Sequence, residues 1–101
     1  MASGYYIGTD LKFKINITAE GFDMSTDAFS IKLRSGNSLI DVPNENIVSD
    51  GEDGYFLLVN TSQLKAGLLQ MIVIAEVPDD DFPSGIRHEV DRVNLCTIKQ
   101  V

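Results

Sequence analysis

The chain has 101 residues, of which 44% are apolar, and its eight basic against fifteen acidic residues give a formal net charge of −7. This length predicts one domain, residues 1–101, and the apolar fraction supports a core without metal or disulfides. The single cysteine, Cys96, excludes an intrachain disulfide and is typical of a reducing compartment. Binding a phosphate backbone requires clustered Lys and Arg, and the sequence shows no such cluster, so we expect no nucleic-acid partner.

Two strands are predicted at the N-terminal end. A short one covers residues 5–7, between two glycines, and a longer one covers residues 10–18, where apolar and polar residues alternate. A period of two predicts a strand with one face in a core and the other in water. The outward face carries Lys12 and Lys14, the only concentrated positive charge that we identify in the sequence.

The middle of the chain predicts short strands separated by turns. Residues 20–27 are predicted to form a loop, because Gly, Ser and Asp favour turns. Strands are then expected at 29–34 and at 38–42, where Pro43 ends the strand. Another short strand begins at residues 47–48, and a turn cluster at 50–54 leads into a strand at 55–60. One helical turn is predicted near residues 61–67, with Thr61 or Ser62 as its N-cap and Gly67 as its left-handed end.

Two long strands are predicted near the C-terminus. Residues 68–77 are apolar at both parities, which predicts a strand covered on both faces. An acidic loop follows at 78–85, and the last strand covers 86–99. The alternation of this last strand changes phase, so we expect a β-bulge near residues 91–92.

This pattern predicts an all-β fold. It contains seven or eight short strands, turn signals about every ten residues and no long helix. Such spacing favours an immunoglobulin-like two-sheet β-sandwich over a barrel or a βαβ fold. The tryptophan and the cysteine pair of antibody domains are absent, so the inference concerns the architecture alone.

No residue pattern in the sequence indicates catalysis, a metal or a cofactor. His88 and Glu89 are neighbours in a strand and are expected to point to opposite faces. Cys96 has no partnering base and is expected to be a small buried hydrophobic residue. The acidic runs at 50–53 and 79–81 do not complete a calcium loop signature. We therefore predict a protein that is not an enzyme.

A few large side chains outside the predicted core are candidates for partner contact. Phe22, Met24 and Phe82 lie in predicted loops, where such residues either fold back over the end of the sandwich or project as anchors. Folding back is the more frequent arrangement. Tyr5 and Tyr6, at the N-terminal end, complete this group.

Two runs of the chain carry a family resemblance: residues 10–24, read Asp-Leu-Lys-Phe-Lys-Ile-Asn-Ile-Thr-Ala-Glu-Gly-Phe-Asp-Met, and residues 77–87, read Val-Pro-Asp-Asp-Asp-Phe-Pro-Ser-Gly-Ile-Arg. The order of their strands and the sequences of their loops resemble those of small immunoglobulin-like virion structural proteins of tailed bacteriophages. This family includes capsid auxiliary (decoration) proteins and baseplate modules.

The resemblance implies a non-enzymatic structural protein that is made in the host cytoplasm and localised in the virion. A capsid auxiliary protein would bind the major capsid protein in many symmetric copies, with no membrane partner. The resemblance itself assigns no contact residues; the candidates from the sequence pattern are Tyr5, Tyr6, Lys12, Lys14, Phe22, Met24 and Phe82. The alternatives are a tail or baseplate component, or a small bacterial protein- or carbohydrate-binding module. A carbohydrate module favours exposed aromatic platforms, and this chain has no Trp and three Tyr.

Overall fold

The computed structural model describes residues 4–17, 20–24, 26–49, 51 and 54–100, and its regular structure is almost entirely β. In chain order the strands are β1 (Gly4–Tyr6), β2 (Asp10–Ile15), β3 (Phe29–Ser35), β4 (Ser38–Asp41), β5 (Ile47–Ser49), β6 (Tyr55–Asn60), β7 (Gly67–Pro78) and β8 (Ile86–Lys99). Single 3₁₀ turns occur at Asn44–Asn46 and Thr61–Gln63. The all-β prediction is confirmed; most of the predicted turn cluster at 50–54, and Thr18 of the predicted strand 10–18, lie outside the described residues.

The strands form two sheets. The larger sheet has the order β1-β8-β7-β3-β4, and the smaller one has the order β2-β6-β5. The strand β1 runs parallel to β8, and every other pairing is antiparallel. This arrangement confirms the predicted two-sheet β-sandwich.

One core lies between the two sheets. Alternate positions of the strands supply it, as the period of two requires. Leu57 of the smaller sheet and Leu69 of the larger one have no exposed surface at all. The other buried apolar residues of this cluster come from the inner faces of β2, β3, β6, β7 and β8 and from one loop position: Leu11, Ile15, Ile31, Leu33, Val59, Leu64, Met71, Val73, Cys96 and Ile98.

The prediction that both faces of β7 are covered is wrong for one face. The inner face is buried from Leu69 to Val77. On the outer face, Leu68 is 46% exposed and Ile72 and Ile74 are half-buried. No second layer of the described chain covers this side, because all the remaining strands pack on the opposite side or lie in the same sheet.

The predicted β-bulge exists in β8, but at a different position. Leu69 pairs with Cys96 and Gln70 pairs with Asn94, so Leu95 is the extra residue. The prediction at 91–92 is misplaced because Glu89 and Asp91 are charged, although both occupy inner-face positions, where they stay exposed. The alternation of inner and outer faces along β8 is in fact regular up to Leu95.

The helical turn is present, but its predicted caps are wrong. Asn60 is the N-cap, and its side-chain oxygen accepts from the backbone N–H of Ser62 at 3.0 Å. Thr61 is fully buried, and its hydroxyl donates to the carbonyl oxygen of Thr9 at 2.6 Å and accepts from the N–H of Gly8 at 2.9 Å. Gly67 begins β7 instead of ending a helix.

The β3–β4 hairpin depends on a glycine. Gly36 has φ +56, and an added Cβ would lie 3.2 Å from the carbonyl oxygen of Ala66. Glycine at the first of two turn residues is the arrangement of a type II′ hairpin. We therefore expect Gly36→Ala to lower the free energy of unfolding by about 1–2 kcal/mol, measured by urea denaturation. Asn37→Ala, at the neighbouring turn position without positive φ, is the control; equal losses in both variants would contradict this explanation.

Candidate functional site

The predicted contact residues at the N-terminal end lie beside the last residues of β8. Tyr6 is 55% exposed, and the Lys99 Nζ lies 5.6 Å from the centroid of its ring. Tyr5 is 37% exposed and pairs with buried Ile98. The two rings therefore point to opposite faces of the sheet and do not form one aromatic surface.

Lys12 and Lys14 lie on the outer face of the smaller sheet. The Nζ of Lys12 is 4.2 Å from the centroid of the Phe56 ring, a distance at which a cation is attracted to the face of an aromatic ring. The facing residues of β6, Phe56 and Leu58, are half-buried. This surface is amphipathic, with lysine stems lying over apolar side chains.

Phe22 and Met24 fold back onto the sandwich. The ring of Phe22 contacts that of Phe29 edge to face, with centroids 6.2 Å apart. The sulfur of Met24 accepts from the backbone N–H of Ile17 at 3.3 Å, and Met24 packs against the core. Both side chains are half-buried.

Phe82 lies at the tip of the β7–β8 hairpin and is 44% exposed. Its N–H donates to the carbonyl oxygen of Asp79 at 3.3 Å, and its own carbonyl oxygen accepts from the N–H of Gly85 at 2.8 Å. The tip is therefore an ordered turn that presents an aromatic ring at one end of the molecule. Tyr6 pairs at the opposite end of β8, so the two rings lie far apart.

An ion pair fixes this hairpin tip to the neighbouring loop. The Arg87 guanidinium binds the Asp79 carboxylate with one nitrogen and donates with another to the carbonyl oxygen of Glu20 at 3.0 Å. Two donors, the backbone N–H of Asp81 first and then the Arg87 side chain, hold the pKa of Asp79 below its ordinary value.

This lowered pKa predicts that the free energy of unfolding depends on pH. A carboxyl group whose folded pKa is depressed stabilises the fold above its unfolded pKa, and that contribution is lost as the pH falls through the folded value. We expect NMR titration to place the Asp79 pKa below the ordinary value for aspartate, and Arg87→Gln to raise it. A wild-type Asp79 that titrates at or above the ordinary value would contradict the assigned hydrogen bonds.

A second charged surface, which the sequence did not reveal, lies on the outer face of the larger sheet. The register places Lys32 beside Ile72 and Ile72 beside Arg92, while Arg34 lies beside Gln70 on the same side. Lys99 also faces this side, beside Tyr6. We call this surface the basic face. The expectation that the chain has no Lys and Arg cluster is corrected here, because strand pairing joins residues that are distant in sequence.

Few carboxylates neutralise the basic face. Lys32 forms an ion pair with Asp41 at 2.9 Å. No described carboxylate forms an ion pair with Arg34 or Arg92. Because the whole chain carries a net charge of −7, this face differs in sign from most of the protein surface.

The basic face also exposes apolar side chains. Leu39 is 57% exposed, Leu68 46% and Val90 67%, and Ile72 and Ile74 between them are half-buried. Ile72, Ile74 and Val90 adjoin one another, whereas Arg34 and Gln70 separate Leu39 and Leu68 from them. Exposed apolar side chains among polar ones, with arginine enriched, are typical of protein–protein interfaces. Only strand order could have predicted this surface, since its members alternate with core residues on β3, β4, β7 and β8.

The two side chains that the sequence offers for chemistry, His88 and Cys96, lie on opposite faces of β8. His88 is exposed, and its Nε2 lies 4.0 Å from the Glu76 carboxylate across the strand pair, on the face opposite to Glu89. Cys96 is buried, and this burial raises the pKa of its thiol. Among the described residues, no three His, Cys, Asp or Glu side chains are grouped to hold a metal.

Within the same described ranges, no helix has the length and apolar character needed to cross a membrane. Comparison with family models, with curated proteins and with solved structures gives no match to this chain.

Proposed function

We propose that this protein is a capsid auxiliary protein of a tailed bacteriophage, a non-enzymatic component that binds the shell of major capsid protein. The family resemblance of residues 10–24 and 77–87 supports the phage assignment. In this proposal many copies bind at symmetric positions of the particle, and the protein is localised in the virion. Its function is mechanical, since it adds contacts to an assembled shell.

The basic face is the observation on which this proposal depends. A decoration protein requires a surface that is left uncovered by its own chain and that fits another protein. The outer face of the larger sheet has this character, with Leu39 and Leu68 exposed beside Arg34 and Arg92. Burying the exposed part of each such apolar side chain contributes about 1 kcal/mol.

The charge distribution fits the same orientation. With the basic face against the shell, the acidic remainder of the surface would point toward solvent. Like charge on neighbouring particles opposes their association. Because identical copies bind around a closed shell, small contact energies per copy add up to a large total for the particle.

The two alternatives, a tail or baseplate component and a carbohydrate-binding module, would require different surfaces. A tail or baseplate component could use the same basic face, so location within the particle decides between the two. A carbohydrate-binding module would need an aromatic platform. Tyr6 and Phe82, the most exposed rings of the described residues, lie at opposite ends of β8.

Mass spectrometry of purified particles tests the proposal. Particles are induced from a host that carries the gene, and DNA-filled heads are separated from tails on a density gradient. We expect the protein in the head fraction, at a copy number comparable to that of the major capsid protein. Its presence in tails alone would overturn the capsid assignment in favour of the tail alternative, and its absence from particles would overturn both.

A further inference from the structure

One edge of the larger sheet is open along β8. The strand β1 covers only residues Thr97–Lys99 of that edge, and within the described residues nothing pairs with 86–93 there. This open segment is long enough to accept another strand. Sheet edges of this kind are where extended peptides add to a fold.

The direction of the backbone groups can be derived from neighbouring hydrogen bonds. The N–H of Glu76 donates to the carbonyl oxygen of Ala28, on the β3 side of β7. Its partner His88 is therefore in a non-hydrogen-bonded pair and directs its own N–H and C=O to the open edge. By alternation, Val90 and Arg92 do the same.

Two local hydrogen bonds support this assignment. The N–H of Arg92 is bonded to the Asp91 carboxylate at 2.9 Å, and the N–H of Ile86 to the Ser84 hydroxyl at 3.3 Å. Neither amide is used by the β7 ladder. Between them, the amides of His88 and Val90 have no acceptor among the described residues. The centre of the edge is therefore available for ladder hydrogen bonds.

The side chains beside this edge specify what can bind. Glu89 and Asp91 are exposed on the inner face, next to an open cleft of about 320 Å³. The floor of the cleft is apolar, with Met71, Val73 and Ala75 buried. An apolar floor with an acidic rim fits a side chain with an aliphatic stem and a cationic head.

A second copy of this chain fits the centre of the edge poorly. In a continuous antiparallel pairing of two β8 strands, residues on the same face lie opposite one another. Centring that pairing on Glu89 places Glu89 against Glu89, and centring it on Asp91 places Asp91 against Asp91. Centring it on Val90 places Glu89 against Asp91. These three central registers oppose carboxylates, which is destabilising. A pairing centred on His88 instead places Glu89 against Arg87, and a dimer through that register is an outcome that the sedimentation experiment below detects.

We propose that the open edge of β8 binds an extended segment of another protein as an added strand, with Lys or Arg at alternate positions beside Glu89 and Asp91. Glu89 is 3.5 Å from Arg87, which also binds Asp79, so one guanidinium is shared between two carboxylates and Asp91 adds a third. The net charge on the inner face of this edge is therefore negative, while the cation Arg92 lies on the outer face. This proposal does not depend on the capsid assignment.

A pair of fluorescein-labelled peptides tests the proposal by fluorescence anisotropy. One peptide alternates Lys with Val over seven residues, and the second has the same composition with its lysines contiguous. We expect the alternating peptide to bind about tenfold more tightly and to shift the NMR amide signals of His88 and Val90. Equal binding of the two peptides, or shifts confined to other strands, would overturn the proposal.

Two matched pairs of variants examine the edge itself. Val90→Pro removes a backbone N–H that the β7 ladder does not use, and Val90→Thr retains it. We expect Val90→Pro to bind the alternating peptide about tenfold more weakly and Val90→Thr to bind it with unchanged affinity. Glu89→Lys should weaken binding of the alternating peptide, whereas Glu45→Lys, with the same change in net charge, should not. Equal effects within either pair, or a Val90-dependent dimer in sedimentation, would overturn the proposed partner. A native NMR spectrum of each variant confirms its fold.

Discussion

Replacing Leu57 by alanine is expected to lower the free energy of unfolding by about 2–5 kcal/mol. Leu57 lies on the inner face of β6 with no exposed surface, and it is in the core that joins the two sheets. Alanine removes most of its apolar contacts and leaves a cavity that neighbouring strands cannot fill. Because single domains are stable by only about 5–15 kcal/mol, this loss is a large share of the total.

Denaturant unfolding followed by circular dichroism measures this loss. Leu39→Ala is the matched control, since the same atoms are removed from a side chain that is 57% exposed on the basic face. We expect the control to change the free energy of unfolding by no more than about 0.5 kcal/mol. Equal effects at Leu57 and Leu39 would contradict a core shared by the two sheets.

Replacing Arg34 by glutamate is expected to weaken attachment to phage heads by roughly 10- to 100-fold. Arg34 lies on the basic face beside Gln70, and no described carboxylate forms an ion pair with it. The proposed docking pairs the basic face with an acidic shell surface, which glutamate at this position would repel, and the substitution removes no core contact. The measurement is cosedimentation of purified protein with heads produced in the absence of its gene.

Lys12→Glu is the control for this prediction. It makes the same change in net charge on the outer face of the smaller sheet, where Lys12 lies over Phe56. Attachment of this variant should be close to that of the original protein. If Lys12→Glu abolishes attachment and Arg34→Glu does not, the docking surface is the lysine strand and the basic face has another role.

Local alternation predicted the strands well because their pattern depends only on neighbouring residues. In β2 and β3, apolar side chains at every second position face the core, and both strands form, although β2 ends at Ile15, before residues 16 and 17 of the predicted strand. The same reasoning wrongly predicted that the outer face of β7 is covered. Ile72 and Ile74 are apolar without being fully covered, and composition alone does not distinguish a covered face from a docking surface.

The basic face could not be predicted because it depends on strand order. Arg34 and Arg92 lie on strands that are separated by half the chain, and they meet only because β3 and β8 both pair with β7. The bulge at Leu95 has a similar origin, since the charged Glu89 and Asp91 look like a broken pattern until their pairing with β7 is known. The roles of Tyr5, Tyr6, Lys12, Lys14, Phe22, Met24 and Phe82 in partner contact stay predictions.

Cryo-electron microscopy of heads that carry this protein would show which face of the sandwich contacts the shell. We expect symmetric extra density in which the outer face of the larger sheet, with Arg34 and Leu68, contacts the shell and the smaller sheet faces solvent. Density that contacts the shell through the β2 lysines or the Phe82 tip, with the basic face turned to solvent, would contradict docking through the basic face.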